Sequence, residues 1–66
     1  MNFTLKAARV NKGLKQKDVA QALHVSRSTI MSWENGKTAP RIDQMRQLCE
    51  LYNMPIDNFI LTEMLA

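Results

Sequence analysis

The chain has 66 residues, room for one small domain, because a chain of this size buries only about 60% of the surface its unfolded form exposes. Apolar residues make up 45% of it, which sets it apart from disordered chains, and no apolar run approaches the roughly 20 residues that cross a bilayer. The net charge is +3, and with Cys49 and His24 the only residues of their kinds an internal disulfide is impossible and structural zinc has too few soft ligands.

Phe3, Leu5, Ala8 and, less regularly, Val10 give a first helical stripe, with Thr4 placed to cap its start and Gly13 its end. From Gln16, the residues Val19, Ala20 and Leu23 recur at the spacing of one helix face and predict a short second helix. His24 and Val25 break that pattern. Ser26 then suits the N-cap of a third helix, since its hydroxyl accepts an otherwise orphaned backbone N–H. Ile30 and Trp33 face inward on this helix. It ends at Glu34-Asn35-Gly36-Lys37, where Gly36 supplies the left-handed conformation that other residues resist.

After Pro40, the series Ile42, Met45, Leu48, Cys49 and Tyr52 forms the most regular stripe, a fourth helix closed by Asn53. Pro55 suits the first turn of a fifth helix, with Ile56, Phe59 and Ile60 as its inner face. Five short helices are expected, with no strand signal of comparable strength. The chain reads as one all-α domain over residues 1–66.

The charge is divided along the chain. Through residue 41, eight bases (Lys6, Arg9, Lys12, Lys15, Lys17, Arg27, Lys37, Arg41) face two acids (Asp18, Glu34). Beyond it, Arg46 faces Asp43, Glu50, Asp57 and Glu63. A basic front and an acidic back fit a polyanion held on one side, or a solvated surface of uneven charge. The N-terminus lacks the basic start and apolar core of a signal peptide, so a cytoplasmic location with no membrane partner is expected.

Two short helices joined by a three- or four-residue turn, apolar within and polar without, form a helix-turn-helix. The outward positions on the second of them are Arg27, Ser28, Met31 and Ser32, side chains that donate, accept or make apolar contact. Gln16-Lys17-Asp18-Val19-Ala20, Leu23-His24-Val25-Ser26, Ile30, Trp33-Glu34-Asn35-Gly36-Lys37 and Pro40 together resemble the Xre, Cro and cI-type regulators of bacteria and phages. The resemblance extends from about Leu5 to Phe59 and implies a compact five-helix, lambda-repressor-like DNA-binding domain.

That resemblance assigns roles. The third helix enters the major groove of double-stranded DNA, with Arg27, Ser28 and Ser32 as base readers. Arg27 suits a bidentate pair with guanine, or a phosphate contact. Gln16, Lys15, Asn35, Lys37 and Arg41 fall where the backbone is held: Gln16 at a helix N-terminus that favours phosphate, Asn35 as clamp or simple cap, and Arg41 as a minor-groove arginine or a solvent-facing helix start. Arg9 and Glu34 are implied as a structural ion pair between the first and third helices, and Trp33 as core.

Two positions depart from the family pattern. His24 stands where glycine is frequent, which predicts either a positive φ there or a remodelled turn. Lys15 stands where serine, threonine or asparagine caps the second helix, and loss of such a cap costs about 1 kcal/mol. Lys15 reads either as an added backbone contact or as an imperfect cap without a role.

Members of the family usually dimerise on inverted-repeat operators, since two half-sites about one helical turn apart multiply the affinity. Phe59, Leu61, Met64 and Leu65 are the residues expected at a two-fold interface, with packing inside a monomer as the alternative. Catalysis is not expected, because the lone histidine sits in a tight turn with no carboxylate at a motif-like spacing. No cofactor or small-molecule substrate is expected either. The other reading kept open is a protein-interaction module, against which the outward Arg27, Ser28 and Ser32 argue.

Overall fold

The computed structural model describes residues 3–59. Four α-helices follow in order, α1 (Leu5–Asn11), α2 (Gln16–Leu23), α3 (Arg27–Glu34) and α4 (Ile42–Tyr52), and a single 3₁₀ turn covers Ile56–Asn58. The expected fifth helix is therefore corrected to one turn among the described residues. The chain has already become extended at Phe59 (φ −97°, ψ 147°), where it pairs with Phe3 in an isolated parallel β-bridge. Ile56 is 36% exposed, and Ile60 lies outside the described residues.

The helix starts divide by chemistry. Thr4 Oγ1 accepts from the Ala7 N–H at 3.0 Å, and Ser26 Oγ from the Thr29 N–H at 3.1 Å. Lys15 and Arg41 have no side-chain acceptor to offer. At their helices the bond runs the other way, with Asp18 Oδ2 accepting from the Lys15 N–H and Gln44 Oε1 from the Arg41 N–H, both at 2.8 Å. This is the reverse half of a capping box.

The helix ends are uniform. Gly13 (φ 71°), His24 (φ 57°), Gly36 (φ 74°) and Asn53 (φ 55°) are all left-handed, so His24 takes the positive φ its position calls for. Behind each, the next N–H turns back to a carbonyl five residues earlier: Leu14 to Arg9, Val25 to Ala20, Lys37 to Ser32 and Met54 to Cys49, over 2.9–3.1 Å. All four helices thus close in Schellman motifs.

Leu5 and Ala8 of α1, Val19, Ala20 and Leu23 of α2, and Ile30 and Trp33 of α3 are buried together with Met45, Leu48 and Tyr52 of α4. Phe59 closes this core, its ring centroid 6.3 Å from that of Tyr52. Two expected core positions are corrected: Ile42 is 63% exposed and Val10 58%. Residues 42, 45 and 48 advance by three, and each such step falls about 60° short of a full turn. Ile42 and Leu48 therefore point about 120° apart, and the core keeps the Leu48 side. No helix among the described residues is long and apolar enough to cross a membrane.

Candidate nucleic-acid interface

The most extensive packing between helices is that of α2 on α3, which fixes the angle at which α3 is presented. Ile30 (2% exposed) and Trp33 (4% exposed) anchor the inner face of α3. Trp33 is a core residue. Arg27, Ser28 and Met31 are exposed on the opposite side, and Ser32 is half-buried.

A chain of polar side chains connects that face to the interior. Arg9 Nε donates to Glu34 Oε2 at 2.7 Å and Arg9 Nη2 to Glu34 Oε1 at 3.2 Å. The pair is well sheltered, with side-chain exposures of 11% and 4%. Arg9 Nη1 donates to the Leu14 carbonyl at 3.0 Å, so the same guanidinium also holds the turn between α1 and α2. The hydrogen bond to Glu34 pushes the Arg9 guanidinium above its ordinary range, so Arg9 stays cationic.

Glu34 Oε1 also accepts from Gln16 Nε2 at 3.1 Å, and Gln16 Oε1 accepts from Arg27 Nε at the longer distance of 3.4 Å. The buried pair thereby steers an exposed arginine through one glutamine. Gln16 keeps its second amide proton, and Arg27 keeps both terminal nitrogens, for an external partner.

Around this chain lies an open groove of about 560 Å³ lined by Lys6, Arg9, Lys15, Gln16, Lys17 and Arg27. Five of these are cationic. The free first-turn N–H groups of α2 lie at the same end, so the groove favours an anion by both charge and donors. Lys6 and Lys17 were not singled out from the sequence. The signal for Lys6 was its place three residues before Arg9 on one helix face, and for Lys17 its place in the first turn of α2.

On the far side of α3, Asn35 and Lys37 are exposed, and the Lys37 N–H is tied to the Ser32 carbonyl at 2.9 Å. Arg41 is exposed at the start of α4, where its Nε lies 3.4 Å from Asp43 Oδ1. That pair is open to water and worth little. Arg41 is not among the residues lining the groove.

Phe59, one of the residues expected at a two-fold contact, is placed in the core of the single chain at 5% exposure, with little area left for a partner. Leu61, Met64 and Leu65 lie outside the described residues. Among the described residues, no three histidine, cysteine, aspartate or glutamate side chains come together as metal ligands.

Residues 5–59 match the model of a family described as helix-turn-helix. Among curated proteins, the chain is 33% identical over 59 residues to the HTH-type transcriptional activator BcrR of Enterococcus faecalis, a match covering 89% of this chain and 29% of that protein. It is 29% identical over 52 residues to the cryptic phage CTXphi transcriptional repressor RstR of Vibrio cholerae, covering 79% of this chain and 47% of that protein. The matches thus span less than half the length of either relative. No solved structure matches the chain significantly.

Proposed function

This chain belongs to the Xre/Cro/cI-type helix-turn-helix family, a family of non-enzymatic DNA-binding regulators, and from that premise we propose how it holds its DNA. Helix α3 enters the major groove, with Arg27, Ser28 and Ser32 facing base edges. Gln16 and Lys15 at the start of α2, and Asn35 and Lys37 beyond α3, hold the phosphates on either side, and Lys6 and Lys17 extend the first of these contacts. Arg41 adds a contact at the start of α4. Arg9 and Glu34 fix the angle between α1 and α3 and touch no base.

The observation that carries this reading is the hydrogen-bonded chain from Arg9 through Glu34 and Gln16 to Arg27, which ends in a groove lined by five cations. It delivers a guanidinium, already oriented, to the rim of α3. A bidentate guanine contact needs that geometry.

The chain acts as a homodimer on an inverted repeat, with Leu61, Met64 and Leu65 at the two-fold contact, and it works in the cytoplasm on the nucleoid. The reading includes repression as the usual outcome, although the two relatives are named as one activator and one repressor. Binding to a duplex retained from a random pool, followed from low to high salt, tests the core of it. Affinity falls steeply with salt as phosphate counterions are released, and a flat response overturns the reading. A palindromic consensus supports the dimer, whereas a single half-site bound at one chain per duplex removes it.

A further inference from the structure

Met31 is left over from both the fold and the charge pattern. It is 44% exposed, while its neighbours toward the interior, Ile30 and Trp33, are sealed in the core at 2% and 4%. It follows Arg27 by four positions and Ser28 by three, and it precedes Asn35 by four, so helical spacing puts all four on one strip of α3. The other three members of that strip are exposed and polar. Among the described residues, the unbranched thioether in their midst is not one of the side chains packed on the core, and it offers any partner an adaptable apolar surface.

Base edges in the major groove present one apolar group, the C5-methyl of thymine. Resting on the proposal that α3 lies in that groove, we infer that Met31 is a specificity-determining residue that packs against a thymine methyl and so separates T·A from C·G. Four residues of helix advance about 6 Å along its axis. The thymine therefore lies about one or two base pairs from the pair that Arg27 reads. Ser28 and Ser32 flank Met31 and accept or donate to either strand, which leaves methyl recognition to Met31 alone.

The test uses the duplex that the wild-type chain itself retains from a randomised pool. Each thymine of a half-site is replaced in turn by deoxyuridine, which removes the methyl and keeps every hydrogen-bonding group. For the wild type, one replacement per half-site weakens binding about fourfold, the worth of one buried methylene-sized group. Met31→Ala weakens binding to the thymine duplex by a similar factor and is indifferent to deoxyuridine at that position. Losses that are the same in wild type and Met31→Ala at every thymine overturn the inference, and they leave groove binding by α3 intact. Failure to retain any duplex overturns both. Because Met31 is exposed, its urea midpoint should match the wild type, and this separates a lost contact from a lost fold.

Discussion

Arg9 and Glu34, 25 positions apart in the chain, meet as a fork on a carboxylate, with both oxygens engaged at 2.7 and 3.2 Å. The carboxylate is almost wholly removed from water, so its charge is balanced by Arg9 and by the Gln16 amide instead of by solvent. Breaking such a pair from one side leaves an uncompensated charge, which costs about 3–5 kcal/mol. Small domains have about 5–15 kcal/mol in total. Arg9→Ala should therefore lose about 3 kcal/mol in urea unfolding, and the apolar double replacement R9M/E34L should recover much of it. A loss under about 0.5 kcal/mol for Arg9→Ala would show that the pair is peripheral to the fold.

Arg27 and Lys37 should fail in different ways. Arg27→Ala is expected to cost about 1–3 kcal/mol on the preferred duplex and to relax preference at one base pair per half-site. Lys37→Ala should weaken all duplexes alike and lower the salt slope by about one. Equal losses for Arg27→Ala on preferred and random duplexes would make Arg27 a phosphate contact.

His24 carries a left-handed backbone in the turn between α2 and α3. A side chain branched at Cβ resists that conformation far more than histidine does. His24→Val should lose about 1–2 kcal/mol. His24→Gly should change stability by less than about 1 kcal/mol, since relief of strain offsets the greater freedom of the unfolded chain. Thermal unfolding of the three proteins checks the order, and a valine variant as stable as the wild type would contradict the strained turn.

Tyr52 is 1% exposed, and burial pushes its phenol well above its ordinary value of 10.0. Above that value the unfolded chain releases the proton and the folded chain keeps it. Stability from this group is thus full below about pH 10 and falls as pH rises, by at most about 1.4 kcal/mol per unit. Urea midpoints at pH 9 and pH 11 should differ less in Tyr52→Phe than in the wild type. Identical slopes in the two proteins would sink the assignment.

Much of the fold was legible because its punctuation is chemical and local. Gly13, Gly36 and Asn53 tolerate the left-handed region, and each ends a helix. Thr4 and Ser26 carry the acceptors that start α1 and α3. Less legible was anything requiring a partner distant in sequence. Where a fifth helix was expected, a single turn is followed by an extended Phe59 bridged to Phe3, and no pattern near Pro55 announces that pairing. Ile42 sat on a plausible stripe but at a helix start, where a three-residue rhythm carries it off the core side.

The site divides in the same manner. The family pattern pointed to Arg9 and Glu34 as a pair and to Gln16 and Arg27 singly, whereas the linkage of that pair through Gln16 to Arg27 is a property of the packed helices. Lys15 itself offers no acceptor at the cap position, and the one that holds its N–H stands three residues later, on Asp18, where the cap position alone does not announce it. The added cations Lys6 and Lys17 become members of one groove only when α1 and α2 are set side by side.

Helix α3 is secured by Ser26 at one end, by the left-handed Gly36 at the other, and by Ile30 and Trp33 beneath. None of these supports involves the side chains of Ser28 or Met31. Exchanges at such exposed positions shift stability by about 0.5 kcal/mol or less. If α3 reads DNA as proposed, scaffold and address are separable: the codons for Ser28 and Met31 can be rewritten, and the same folded body redirected to a different stretch of duplex, with no change to the supports beneath them.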